Sequence, residues 1–376
     1  MPNKKINMPY KFNDEERKIV FLKHDLPSPW INYLSNGRMH AFVSQAGGGM
    51  CWWRTPQNYR ITRYRFYNMP IDSPGFYVYI RMQDGTVWSP TFRPCDTKLD
   101  KWEAAHSTGF SRFIAEKDGL KATLTLFMAL NSDTLIWDLK LENLKGEQVE
   151  CDVFVYVELS QLSFDNEVKL GYYLKWNVDN KYDEELNATM CLYTSWMQVD
   201  TDKAPVVYFS SSEKCDSFCC NRDLFCGNYR DERNPIEVEE GRLCNSNMAG
   251  DEPCGALHSH VSLGAHEEKR MNYFLGVTFP STSSVHNPDE LEAQKKRSGM
   301  SELAGPTGNG NIGEDSVGWG DSAVWIPYMV YLNYGDPQIL KSQYQTAKRW
   351  VEYLLACAKE HNPLYENQPQ YHHKAN

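Results

Sequence analysis

Residues 110–128 read FSRFIAEKDGLKATLTLFM. Two aromatic and aliphatic runs stand on either side of Asp118-Gly119. An Asp-Gly pair in that position is a strong hairpin signal, because both turn residues must accept positive φ. The spacing predicts strands over 110–114 and 120–127 joined by a tight turn. The same device occurs upstream, where FYVYI at 76–80 leads through Asp84-Gly85 into TVW at 86–88. Downstream, 135–141 and 151–159 alternate apolar and polar residues as half-buried strands do, with Lys145-Gly146 between them. Further strands are expected at 171–176, 188–196 and 206–210, and an irregular stretch at 215–250. Residues 255–263 and 270–277, joined by GAHEE at 264–268, form an expected closing hairpin. Strands at this spacing, with no helical periods between them, indicate an antiparallel sandwich.

The pattern changes after about residue 280. A charged run at 289–297 suits one helical stretch, and 305–313 is rich in Gly. Two helices are then expected. The first, over 321–334, carries an apolar stripe at 324, 325, 328, 329 and 332. Gly335-Asp336-Pro337 ends it and starts the second, over 337–359, because Pro suits a first helical turn. Two helices with wide apolar faces cannot bury those faces on each other alone. The expected domains are therefore a β-sandwich over 1–280, a linker over 281–313 and a helical segment over 314–376.

A chain of 376 residues can bury a sizeable core. Its formal net charge of −10 argues against nucleic acid or an anionic membrane as partner. The N-terminus lacks the apolar run of a signal peptide and no run approaches a membrane span, so the cytoplasm is the expected compartment. The 11 cysteines are odd in number and scattered, which favours reduced thiols over a disulfide framework.

The densest mixture of Gly, aromatic and Arg residues lies in 30–70. Gly47, Gly48 and Gly49 precede Trp52, Trp53 and Arg54, and Tyr59, Arg60, Arg63, Tyr64, Arg65, Phe66 and Tyr67 follow. Flat rings and planar donor forks suit a sugar, with its apolar C–H faces and hydroxyl rim. They suit equally a β core braced by Arg pairs, and aromatic strands more often form core. PWINYL at 29–34, the glycine run and RITRYR at 60–65 resemble the start of the cellobiose and chitobiose phosphorylases, glycoside hydrolase family 94. VWSP at 87–90, NRDLFCG at 221–227, Asn234-Pro235 and PCGAL at 253–257 extend the resemblance over about 10–278. GWGDSAV at 318–324, with Tyr334, Gly335, Asp336 and Tyr344, resembles instead the helical barrel of bacterial α-L-rhamnosidases.

The resemblance implies a galactose-mutarotase-like β supersandwich followed by part of an incomplete (α/α)6 barrel. It implies inverting phosphorolysis of a β-glucoside by inorganic phosphate, without a metal or other cofactor, in a homodimer acting on a disaccharide or oligosaccharide. In that family the general acid is an Asp of an Asp-Trp-Asn-Asp run on the barrel, and no such run occurs here. No catalytic residue is therefore assigned, and the alternative is a non-catalytic carbohydrate-binding or assembly module.

The expected substrate-binding residues are Trp319, which could stack on a sugar or plug a junction, and Asp321, which could bind hydroxyls or cap its helix. Glu314 and Asp315 are the neighbouring acids. The Cys215, Cys219, Cys220, Cys226 cluster has irregular spacing, with Cys244 and Cys254 far along, so no metal is expected. His258 and His260 share one face of a strand, where solvation is commoner than metal binding. No nucleophilic triad, P-loop or dinucleotide fingerprint is recognised.

Overall fold

The computed structural model describes residues 8–63, 75–164, 166–167, 169, 175–193, 205–278, 322–335 and 337–361. In chain order the first strands are β1 (Tyr10–Asn13), β2 (Lys18–Phe21), β3 (Ile31–Ser35), β4 (Met39–Ser44), β5 (Gly49–Trp53), β6 (Phe76–Met82) and β7 (Val87–Trp88). The long ladder follows as β8 (Lys101–Ser107), β9 (Ser111–Lys117), β10 (Leu120–Met128), β11 (Thr134–Asn143) and β12 (Val149–Glu158). Then come β13 (Val178–Asp183), β14 (Ala188–Tyr193), β15 (Val206–Ser211) and β16 (Ser217–Asn221). Two short helices, α1 (Arg222–Cys226) and α2 (Ile236–Glu240), precede β17 (Met248–Ala249), β18 (Pro253–Leu263) and β19 (Glu268–Thr278).

These strands make a mainly β, antiparallel supersandwich, the class expected. An 11-stranded sheet runs β1-β2-β8-β9-β10-β11-β19-β15-β14-β13-β17. A five-stranded sheet runs β16-β18-β12-β6-β7, and β3-β4-β5 form a third, small sheet. The predicted turn at Asp118-Gly119 joins β9 to β10, which pair from Lys117 opposite Leu120, and both turn residues have positive φ. Asp84-Gly85 joins β6 to β7.

Alternation builds the core. Leu124 and Leu126 on β10 stand opposite Leu139 and Trp137 on β11, which stand opposite Met271 and Tyr273 on β19. All six are at most 1% exposed. Val78 and Ile80 on β6 meet Val155 and Val153 on β12 and belong to the same core. The other face of β6 and β12 carries Tyr77, Tyr79, Phe154 and Tyr156, covered by Phe225 and Val238 of α1 and α2. Every residue of the FYVYI run is therefore buried. That explains a run with little polar alternation.

Three expectations need correction. The 264–268 turn does not close a hairpin: β18 pairs with β12 and β16, whereas β19 pairs with β11 and β15, so the turn carries the chain between sheets. Lys145-Gly146 likewise lies between β11 and β12, which belong to different sheets. Asn143 ties both crossings together, donating through Nδ2 to the carbonyls of Glu147 (2.7 Å), Leu263 (3.3 Å) and Gly264 (2.8 Å). The strand expected at 171–176 is a 3₁₀ turn at its described end, Lys175–Asn177. The stretch 215–250 is less irregular than expected, since it contains β16, both short helices and β17.

The chain divides into two compact units, Met1–Thr194 with Asp202–Asn287 and Ser195–Thr201 with Pro288–Asn376. In the second, α3 (Ser322–Tyr334) and α4 (Pro337–His361) pack as an αα-hairpin, turning at Gly335 with φ 67°. On α3, Ile326 and Tyr331 are exposed as well as Trp325, Tyr328, Met329 and Leu332. The helix is thus apolar on more than one side, not along a single stripe. The expected helix at 289–297 and the Gly-rich 305–313 lie outside the described residues. Among the described residues no helix is long and apolar enough to cross a membrane.

Candidate functional site

Trp319 and Asp321, with Glu314 and Asp315, lie outside the described residues. The candidate surfaces are therefore those of the sandwich.

The small sheet has two unlike faces because its strands alternate. Leu34, Met39, Ala41, Val43, Cys51 and Trp53 point into the core. The opposite face carries Tyr33 facing Phe42, and His40 facing Trp52. The His40 and Trp52 rings stack at 5.5 Å and 17°, Phe42 lies 6.2 Å from Trp52, and Tyr33 lies 6.2 Å from Phe42. Ser35 Oγ holds the His40 Nδ1 edge at 2.8 Å. Tyr33 is 63% exposed and the other three rings are half-buried. Four contiguous rings on one outer face offer a flat apolar platform with polar tips at Tyr33 and His40.

The glycines and arginines beside this sheet do different work. Gly47 has φ 90°, and a Cβ there would lie 2.5 Å from Cβ of Thr91. Gly49 lets its backbone approach the Phe42 carbonyl. Arg60 and Arg63 do not project as sugar-binding forks. Arg60, 1% exposed, pairs with Glu167 at 2.5 Å. Arg63 pairs with Glu158 at 3.1 Å, with Glu167 at 3.5 Å and with Glu252. Burial opposes the Arg63 charge, but Glu158, Glu252 and Glu167 outweigh it and hold its pKa above the ordinary value. Glu158, fully buried, also meets Arg222 at 3.4 Å, and Arg222 reaches Glu232 at 2.8 Å. This continuous ion-pair lattice joins the segment after β5 to β12, α1 and the segment before β18. Arg65 lies outside the described residues.

A second polar group spans the five-stranded sheet. The Ser217 hydroxyl accepts from the Leu243 amide (3.0 Å) and lies 2.9 Å from His258 Nδ1; because the Asp152 carboxylate can only accept, the neutral ring carries its proton on Nε2 and its Nδ1 accepts from Ser217. His258 Nε2 then donates to Asp152 Oδ1 (3.2 Å), which also meets His260 Nδ1 (3.0 Å). Burial lowers the His258 pKa and Asp152 pulls it partly back. The order Ser–His–Asp was not legible in sequence, because the three residues come from β16, β18 and β12. Ser217 is 7% and His258 6% exposed, and the set braces three strands. His258 is thus buried rather than solvated, whereas His260 is exposed.

The sequence cluster of cysteines is dispersed. Cys215 and Cys220 enter the main core, while Cys219, Cys226 and Cys254 enter the cluster beneath the short helices. The fold instead places Cys219 against Cys244, with Sγ atoms 3.6 Å apart, and brings Glu237 beside both. Nothing in the local spacing signals this group, since Glu237 comes from a helix inserted between the two cysteines.

Residues 15–302 match the glycosyl hydrolase 94 supersandwich domain, and residues 286–372 match the bacterial alpha-L-rhamnosidase 6 hairpin glycosidase domain. The N,N'-diacetylchitobiose phosphorylase of Vibrio furnissii is 32% identical over 272 residues, which are 71% of this chain and 33% of that protein. The 3-O-beta-D-glucopyranosyl-beta-D-glucuronide phosphorylase of Paenibacillus borealis is 24% identical over 294 residues, 75% of this chain and 35% of that one. An alpha-L-rhamnosidase of Streptomyces avermitilis is 40% identical over 45 residues, 12% of this chain and 4% of that protein. The chain spans about a third of the length of the phosphorylases it matches. The resemblance carried by the glycine run, RITRYR and NRDLFCG is borne out, and the chain belongs to the glycosyl hydrolase 94 supersandwich family.

Proposed function

We propose that this chain is a carbohydrate-active protein of the inverting β-glucoside phosphorylase class, serving the reaction of a disaccharide or short glucan with inorganic phosphate to give a sugar 1-phosphate. The observation that carries this reading is the supersandwich match over 15–302, supported by relatives that are disaccharide phosphorylases. Inverting phosphorolysis asks the protein for one general acid, with phosphate as the attacking group. The sandwich ion pairs do not supply that acid, because each carboxylate of the lattice already holds an arginine. Residues 1–376 also hold no Asp-Trp-Asn-Asp run. By themselves they are expected to turn over nothing. In this reading the protein is cytoplasmic and homodimeric, which cell fractionation and sedimentation velocity test.

The assay runs in the synthetic direction, with glucose 1-phosphate or N-acetylglucosamine 1-phosphate and a panel of sugar acceptors. Phosphate release by the 376-residue chain should equal the buffer control. Release well above it would refute the assignment of the acid to an Asp-Trp-Asn-Asp run and direct the search to Glu314, Asp315 and Asp321.

A second reading, a non-catalytic carbohydrate-binding or assembly module, is favoured by the ring row Tyr33, Phe42, His40 and Trp52. Tryptophan fluorescence titrated with chitobiose and cellobiose tests it. Saturable quenching that is lost in Trp52→Ala supports saccharide binding at this face, and a flat titration with every sugar sinks it.

A further inference from the structure

We propose that Cys219, Glu237 and Cys244 form a zinc-class metal site on the outer side of the five-stranded sheet. One ligand atom from each lies within 4.8 Å of the other two. Thiolate and carboxylate together select a borderline-soft divalent ion over magnesium or calcium. Zinc–sulfur bonds of about 2.3 Å at a tetrahedral angle put two sulfurs about 3.8 Å apart. The two Sγ atoms stand at 3.6 Å.

The backbone around the group is held in place before any ion arrives. Phe218 and Asn245 exchange bonds, Asn245 N to Phe218 O at 2.9 Å and Phe218 N to Asn245 Oδ1 at 3.0 Å. Cys220 N donates to Ser246 O at 2.9 Å, and Leu243 N donates to Ser217 Oγ. The loop carrying Cys244 is therefore clipped to β16 on both sides of that residue. Gly241, in the left-handed conformation with φ 83°, ends α2 and turns the chain back. Glu237 Oε1 accepts the Cys244 amide at 3.0 Å, which fixes the carboxylate against the loop.

The second, independent observation is the other carboxylate oxygen. Glu237 is 4% exposed, and its Oε2 is buried with no partner of ordinary hydrogen-bond geometry among the described residues, the neighbouring thiols of Cys219 and Cys244 being its nearest polar company. No lysine or arginine pairs with Glu237 among the described residues. A buried carboxylate oxygen without a partner is costly, and a cation at the two thiolates removes that cost. A disulfide between Cys219 and Cys244 would leave it unpartnered. Cys219 is buried and Cys244 exposed, so an ion enters from the Cys244 side, where water completes the fourth position. Binding displaces the two thiol protons to solvent, and the cysteines keep their oxidation state.

Cobalt(II) added to the reduced full chain is the probe. The expected result is one ion per chain, sulfur-to-cobalt charge-transfer absorption and the intense visible bands of tetrahedral cobalt, all displaced by zinc. Outer-shell partners already contribute about 10–100-fold in affinity, so loss of a ligand in Cys244→Ser should weaken binding at least about 100-fold. Cys244 is exposed, so that variant should retain the fold. Glu237→Gln should weaken binding too, whereas Cys226→Ser should bind as the parent does. An unchanged cobalt spectrum in Cys244→Ser, binding no tighter than to the unfolded chain, or formation of a Cys219–Cys244 disulfide with no metal uptake would each overturn the proposal.

Discussion

His106 sets a pH limit on the sandwich that can be worked out from its surroundings. It lies on β8, 7% exposed, with its ring edge-on to Phe21 at 5.1 Å. Its Nε2–H donates to the Trp30 carbonyl at 3.1 Å, and Nδ1 is buried with no hydrogen bond among the described residues. A second proton must go on Nδ1. Burial therefore lowers the pKa from 6.5 to about 4, although the Trp30 carbonyl favours the charged ring. Because the folded pKa lies below the unfolded one, the unfolded chain takes up a proton that the folded chain refuses. Stability is full above pH 6.5, falls as pH drops toward 4, and levels off below it. A shift of that size corresponds to about 3 kcal/mol at 1.36 kcal/mol per unit. The perturbation is His106→Gln, which keeps a side-chain donor for Trp30 and removes the titration. Urea unfolding at pH 7 and at pH 4 should show the parent losing about 3 kcal/mol more than the variant between the two conditions. Equal losses in both proteins would refute the reasoning.

Three further outcomes follow from the described contacts. Glu158→Gln leaves Arg63 and Arg222 short of a buried carboxylate, and breaking such a lattice should lower unfolding stability by about 3–5 kcal/mol in guanidinium titrations. Gly47→Ala forces a positive φ on a residue facing Thr91 and should cost about 1–3 kcal/mol, whereas Gly109→Ala, with nothing within 4 Å, should change stability by about 0.5 kcal/mol or less. Asn143→Ala removes the donor shared by three carbonyls at the two sheet crossings and should cost about 1–3 kcal/mol, read as a lower melting midpoint with near-UV circular dichroism retained.

The strands were legible because period-two alternation and Asp-Gly turns act locally. The ladder from β9 to β11 and the β6–β7 hairpin follow from neighbouring residues alone, whereas β8 was not read from the sequence. Sheet membership was not legible at the crossings. A short Gly-containing turn such as 264–268 can reverse a chain within one sheet or pass it to the facing one. The choice depends on the buried faces of β11 and β12, more than a hundred residues away. The polar sites were hidden for the same reason. Asp152, Ser217 and His258 sit on three separate strands, and Cys219 meets Cys244 only because α2 and its Gly241 turn fold back over β16. Local spacing grouped Cys215, Cys219, Cys220 and Cys226 without suggesting a metal, and strand alternation and the α1 turn carry Cys215, Cys220 and Cys226 away from the Cys219–Cys244 contact. The arginines of 60–65 were ambiguous because a donor fork fits a hydroxyl rim and a buried carboxylate equally. The glutamates of β12 and of the segment before β18 decided the matter.

β19, the last described strand of the sandwich, lies inside the largest sheet, with β1, β2 and β8 to β11 on one side and β15, β14, β13 and β17 on the other. Until residues 268–278 leave the ribosome, the nascent chain holds two partial sheets, each with an open edge at β11 or β15. Open edges of that length invite pairing with other chains. The final insertion is a long-range contact that forms slowly. Synthesis that stalls before residue 268 should therefore yield an aggregating product rather than a smaller folded one, and the sandwich behaves as one cooperative unit completed by its last strand.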